Sequence, residues 1–346
     1  MGRRFWGVPT ALVIAMLSAA SLAPAGQRPG TASKAGTAAP VNTAWTAPLT
    51  ADGQPDLQGY WTNDTYTPLE RPAELAGEEF YTPEEAAAFV KSRVDRLMAQ
   101  ARNDIHYDDA IWQAENYSKE ANRRTSLITD PRDGKVPPLT PEAQQRLASQ
   151  LVSQRAGSSR SAQSRSLAER CISWGNVGPP MMPPTYNANL QILQTRDQVF
   201  IRHEMMHDVR VIHLAGGPRP GPDVRWMAGH SRGHWEGHTL VVDTTNFTGQ
   251  TNFRGTPQNT RQDIFATAAL HVVERFTRTS DDTIRYEFTV EDPATWTRPW
   301  SGEMAIRSFE GPIYEYGCHE GNYGLPNILR AARVEEAQAT GTPRSR

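Results

Sequence analysis

The sequence is short of cysteine, of net charge and of long apolar runs, and each shortage removes a class of function. Two cysteines in 346 residues, Cys171 and Cys318, are too few for a cysteine-rich metal site or a disulfide-scaffold fold. Thirty-six basic residues against 38 acidic ones leave a net charge of −2, so no electrostatic footprint for nucleic acid or an anionic membrane exists. Beyond the first two dozen residues no apolar stretch is long enough to span a bilayer.

The N-terminus has the pattern of a targeting segment. Arg3 and Arg4 supply positive charge, an apolar run follows from Phe5 to Leu22, and Ala23-Pro24-Ala25 offers a small-residue cleavage site. Gly7, Pro9, Thr10 and Ser18 dilute the run, which argues for a cleaved signal peptide (residues 1–25) over a membrane anchor. The mature protein is then expected in the periplasm or outside the cell, with no membrane association after cleavage. In such a compartment two thiols most simply form one disulfide, and two buried free thiols are the alternative. Residues 26–55 read as a flexible spacer rich in Gly, Ala, Thr and Pro, and residues 334–346 as a disordered tail.

Two textures divide the remainder. Residues 56–166 form a helical and irregular region. Thr82-Pro83-Glu84-Glu85 and Thr140-Pro141-Glu142 are helix starts with a Thr N-cap and Pro at the first position, and Gly157 to Ser161 is a polar linker. Residues 167–333 carry short β-rich runs separated by turn signals: Leu190–Thr195, Val199–Met205, Val209–Leu214, Val224–Ala228, Thr239–Thr245, Leu270–Thr277, Thr283–Val290 and Met304–Tyr316. The reading is a mostly β protein with an α-helical N-terminal region. Its core would be an antiparallel β-meander closing into a lipocalin-like barrel, with Gly59-Tyr60-Trp61 as a candidate first strand. Aligned-sandwich packing is the alternative.

The most informative string is His203-Glu204-Met205-Met206-His207, an H-E-x-x-H. On a helix, two histidines four residues apart could grip one Zn²⁺ with Glu204 as general base. The flanks argue for strand instead. β-Branched residues stand on both sides, no N-cap precedes the string, and Thr195-Arg196-Asp197-Gln198 reads as a hairpin turn. Four residues along a strand separate Cα atoms by ~13 Å, against ~6 Å on a helix, so a straight strand cannot present both histidines to one ion. A bend at Met206–Asp208 would be needed to bring Glu204 and His207 to the same side.

The other histidines are His230, His234 and His238 in a glycine-punctuated run read as a hairpin connection, His271 at the start of a strand, and His319 next to Cys318 and Glu320. Several phrases resemble a large family of exported bacterial proteins, abundant in Acidobacteria and some Proteobacteria. They include Arg124-Thr125-Ser126-Leu127-Ile128-Thr129-Asp130-Pro131, Gly178-Pro179-Pro180-Met181, Ser231-Arg232-Gly233-His234-Trp235-Glu236-Gly237 and Cys318-His319-Glu320-Gly321-Asn322-Tyr323. The resemblance implies export and a β-rich C-terminal half. It brings no reaction and no site residue with it.

These residues support an enzyme acting on a small organic substrate by His/Glu acid–base chemistry, of lyase, isomerase or hydrolase type. Glu204, His207, Arg210 and Glu320 are the candidate catalytic residues. In a metal-assisted variant His207, His271 and His319 would ligate a divalent ion such as Zn²⁺. A ligand-binding barrel without catalysis, its mouth lined by residues such as Trp226, Trp235, Trp296, Trp300, Tyr314 and Tyr316, is the second hypothesis. A structural envelope protein is the third.

Overall fold

The computed structural model describes residues 45–101, 123–157, 161–174, 177–184, 187–250, 252–253 and 264–339. The expected signal peptide, residues 26–44 of the spacer, residues 158–160 of the linker and the tail beyond residue 339 lie outside them.

Nine strands hydrogen-bond in a closed ring, in the order β1 (Gly59–Thr62), β3 (Asn189–Gln194), β4 (Gln198–His203), β5 (Val209–His213), β6 (His230–Glu236), β7 (Thr239–Thr245), β10 (His271–Ser280), β11 (Thr283–Glu291) and β12 (Trp300–Ser308). Pairing of Trp61 with Ser308 and Thr62 with Arg307 closes it. β2 (Ile128–Asp130) joins the same edge of β12 further along, and β8 (Asn252–Phe253) pairs with β9 (Ile264–Phe265) as a separate ribbon. The barrel expected from the strand pattern is present, and Gly59-Tyr60-Trp61 is its first strand. Because β1 comes from the segment read as the helical region, a boundary at residue 166 cuts through the ring.

Three helices are described. In α1 (Pro83–Ala101), the Thr82 hydroxyl accepts from Glu85 N–H (3.2 Å) and the Glu85 carboxylate accepts from Thr82 N–H (2.7 Å), a reciprocal cap. Thr140 caps α2 (Pro141–Gly157) by accepting from Ala143 N–H, and Asn322 caps α3 (Gly324–Ala339) by accepting from Leu325 N–H. α3 carries regular structure past Val334, where the sequence reads as a tail.

Two features depart from a pure meander. β6 occupies the His230–Glu236 run read as a connection. Its three local glycines lower strand propensity, yet the period-two alternation puts Ser231, Gly233 and Trp235 toward the core, and β6 pairs along its full length with β7. In addition, β5 and β6 run parallel, through Ile212 to Ser231 and His213 to Arg232. The intervening segment therefore crosses back to the opposite end of the barrel, and Val224–Ala228, read as a strand, supplies only an isolated bridge from Trp226 to Phe247.

Alternation fills the interior. Leu190, Ile192, Val199, Ile201, Ile212, Leu240, Val242, Val272, Phe276, Ile284, Tyr286, Phe288, Met304 and Ile306 are buried in one core cluster. Gly302 on β12 is required by close packing, since a Cβ there would stand 2.4 Å from the Phe288 ring. The segment from Val177 to Pro184 lies buried against the barrel, and Met181 N–H donates to the Tyr286 hydroxyl (2.9 Å).

Candidate functional site

The H-E-x-x-H string is the reversal between β4 and β5. His203 ends β4, and its N–H donates to Asp208 O (2.9 Å). Glu204 N–H donates to Asn189 O (2.9 Å), and His207 N–H to Glu204 O (3.0 Å). Met205–His207 make a single 3₁₀ turn. The chain can reverse so tightly because Met206 and His207 adopt left-handed backbone, with φ of 60° and 42°. For residues with a Cβ this conformation costs about 1–2 kcal/mol each. Burial of Met205 and Met206 beneath the turn helps to hold it.

The bend at Met206–Asp208 is thus present, and it reassigns the faces. Inward positions are odd-numbered on β4 (Val199, Ile201, His203) and even-numbered on β5 (Arg210, Ile212). Arg210, expected beside the substrate, is therefore a barrel-interior residue. Its Nη1 donates to Glu274 Oε1 (2.8 Å), its Nη2 to Glu274 Oε2 and Thr244 Oγ1 (3.1 Å), and its Nε to Ser231 Oγ (3.0 Å). Tyr286 donates to the same carboxylate (2.8 Å). Burial, then the Glu274 charge, pushes the Tyr286 pKa well above 10, so the phenol stays a donor. Arg210, Glu274, Ser231, Thr244 and Tyr286 are all buried, and this network together with the apolar core occupies the interior that a lipocalin-like ligand would need.

His203 also points into the core. Among the described residues its ring Nε2 has no hydrogen-bond partner, and burial, with the Arg210 charge second, drives its pKa down to about 3. It is a neutral core imidazole and shares no ion with His207.

Glu204 is buried and clamped. Asn187 Nδ2 donates to Oε1 (2.6 Å) and Asn189 Nδ2 to Oε2 (2.7 Å). Both oxygens are held, which makes Glu204 a brace for the turn and not a free base. The two amides were missed from sequence: Asn189 opens β3 and Asn187 precedes it outside the strand, so strand spacing gives no signal for the pair. Asn187 is itself left-handed, with φ of 52°.

His207 is exposed, and its Nδ1 lies 3.3 Å from the carbonyl oxygen of Tyr316. A carbonyl only accepts, so Nδ1 is the donor in this contact, and in the neutral ring Nε2 is then the unprotonated nitrogen. Asp208, next in sequence, has its pKa raised by burial, opposed first by the Val209 backbone hydrogen bond and then by His207. Tyr316 belongs to the segment that Cys318 ties to Cys171, the disulfide expected from sequence, with Cα atoms 5.8 Å apart. Beside it is an open cavity of about 330 Å³ lined by Ala168, Glu169, Tyr316, Gly317, Gly321, Asn322 and both cysteines. Glu169 is occupied by Arg165 and by the Ser166 N–H and hydroxyl.

The remaining candidates do not meet there. Glu320 and His319 are exposed on the turn after Cys318. His271 stands half-buried at the start of β10, with Nε2 3.0 Å from Asp243 and Nδ1 3.7 Å from Glu291. The Asp243 hydrogen bond, opposed by burial, raises its pKa, and both ring nitrogens face carboxylates. Among the described residues no three His, Cys, Asp or Glu side chains are placed to hold one metal ion, so His207, His271 and His319 form no ligand set. The described residues contain five non-glycine positions in left-handed backbone, and four of them, Cys171, Asn187, Met206 and His207, converge on this end of the barrel through the contacts above. No family model, curated protein or solved structure matches the chain.

Proposed function

We propose that the protein is an exported enzyme that abstracts a proton from a small organic substrate, with His207 Nε2 as the base. The observation that carries this reading is the convergence of four strained backbone positions on one exposed, carbonyl-oriented imidazole. Such strain persists where surrounding structure over-determines it, and it gathers at functional sites. The roles follow from the contacts. The Tyr316 carbonyl fixes the tautomer, and the Asn187–Glu204–Asn189 clamp fixes the turn. Tyr316, whose carbonyl orients His207, also lines the cavity beside the disulfide, and this makes that cavity the candidate place for the substrate. A positioned base of this kind contributes about 10²–10⁴-fold to rate.

Export to the periplasm or the cell exterior is part of the proposal. It is supported by the disulfide, by the N-terminal segment of the sequence, and by the finding that no helix of the described residues is long and apolar enough to cross a membrane. The test is proton exchange in D₂O. The mature protein is incubated with a panel of small carbonyl and hydroxy compounds, and C–H signal loss is followed by proton NMR. Wild type exchanges at least one of them and His207→Ala does not, while its circular dichroism is unchanged. Equal exchange by both proteins would remove His207 from the mechanism.

A further inference from the structure

The disulfide is usually the inert part of such a fold, but three observations here make it accessible and coupled. Both cysteines line the open cavity, and each is only partly buried, so a small solute reaches the sulfurs without unfolding the barrel. Asn322 Nδ2 lies 3.5 Å from Cys171 Sγ, a donor placed to stabilise negative charge on that sulfur. Cys318 N–H donates to Tyr316 O (2.9 Å), the same carbonyl that orients His207.

We infer that Cys171–Cys318 is a modification site for low-molecular-weight thiols, and that its opening releases His207. The coupling to His207 rests on the reading of that residue as the base; the reactivity of the disulfide does not. A thiolate attacks Cys318 Sγ, a new S–S bond joins the small thiol to Cys318, and the Cys171–Cys318 bond breaks. Cys171 leaves as a thiolate beside the Asn322 amide and takes up the proton the incoming thiol lost. The preference for Cys318 as the attacked sulfur follows because the better-stabilised thiolate is the better leaving group. With the tether open, the turn that carries the Tyr316 carbonyl loses its covalent anchor, and His207 loses the acceptor that fixes its tautomer.

The probe is reduced glutathione, applied to the folded oxidised protein, with adducts located by mass spectrometry after acid quench. The expected rate is linear in glutathione, the adduct sits on Cys318, and the long-range ¹H–¹⁵N imidazole spectrum of His207 changes from one tautomer to an average. Asn322→Asp keeps an oxygen for the Leu325 N–H cap but removes the amide donor to Cys171 Sγ, together with its bond to Glu169 O, and slows exchange roughly fivefold. A rate that saturates at the rate of global unfolding overturns the inference, as does an adduct shared equally by both cysteines. An unchanged His207 spectrum in the opened protein overturns the coupling, while D₂O exchange by the oxidised enzyme continues to report on the base itself.

Discussion

Glu274→Ala tests whether the barrel interior is a satisfied charge network. The substitution removes the carboxylate bonded to Arg210 and leaves a guanidinium 3% exposed, with Ser231 and Thr244 hydroxyls as its remaining partners among the described residues. Breaking one side of a buried pair costs about 3–5 kcal/mol, because the other charge stays desolvated. Tyr286 also loses its acceptor, worth about 1 kcal/mol. The combined loss of about 5 kcal/mol is a large share of a typical folding stability of about 5–15 kcal/mol. With a urea slope of about 3 kcal/mol per M, the midpoint falls by about 1.7 M. The assay is urea unfolding followed by tryptophan fluorescence with the disulfide intact. The double variant Arg210→Met/Glu274→Leu removes both charges and recovers most of the loss. A Glu274→Ala cost below about 1 kcal/mol, or a double variant as unstable as the single, refutes the argument that the pair is a desolvated, mutually dependent unit.

Three further outcomes follow from individual residues. His203 titrates near 6.5 when unfolded and near about 3 when folded, so its contribution is fully present above pH 6.5 and is lost as pH falls toward 3. That is about 2 kcal/mol by pH 5, and His203→Gln flattens the fall of melting temperature between pH 7 and 5. His271 has the opposite sign: its folded pKa is raised, so its contribution is complete below the unfolded value and is lost as pH rises through the folded one. The pair is about one-third exposed, which holds the contribution below about 1 kcal/mol, and Asp243→Asn moves the NMR titration of His271 down. His207→Gly relieves a left-handed residue whose side chain is exposed, and raises stability by about 0.5–1 kcal/mol in the same urea assay.

Strand periodicity made much of the barrel readable. β10 and β11 run over ten and nine residues around a two-residue tip at Asp281-Asp282, and the alternating pattern exposed both. Glu274 stands in register with Val272 and Phe276, so it is a charge on an inward face and needs a buried partner. That partner stayed hidden because Arg210 changes face at the β4–β5 turn, and a left-handed Met-His pair has no composition signal of the kind glycine gives. The parallel β5–β6 pairing was hidden for a different reason. It depends on a crossover whose direction is tertiary, and β6 itself is masked by glycines that usually mark turns. At the site, the bend was legible from the geometry of two histidines on one strand, whereas the Tyr316 acceptor was not, since a backbone carbonyl more than a hundred residues away leaves no trace in side-chain spacing.

His207 is the proposed base, and its Nε2 is the atom that would take the proton. The most direct measurement is the long-range ¹H–¹⁵N correlation spectrum of the imidazoles in the oxidised protein at pH 8, with His207 assigned by loss of its signals in His207→Ala. A single Nδ1–H tautomer is expected, with Nε2 at the shift of an unprotonated nitrogen. A spectrum showing Nε2–H, or the rapid tautomer average of a free histidine, would contradict it.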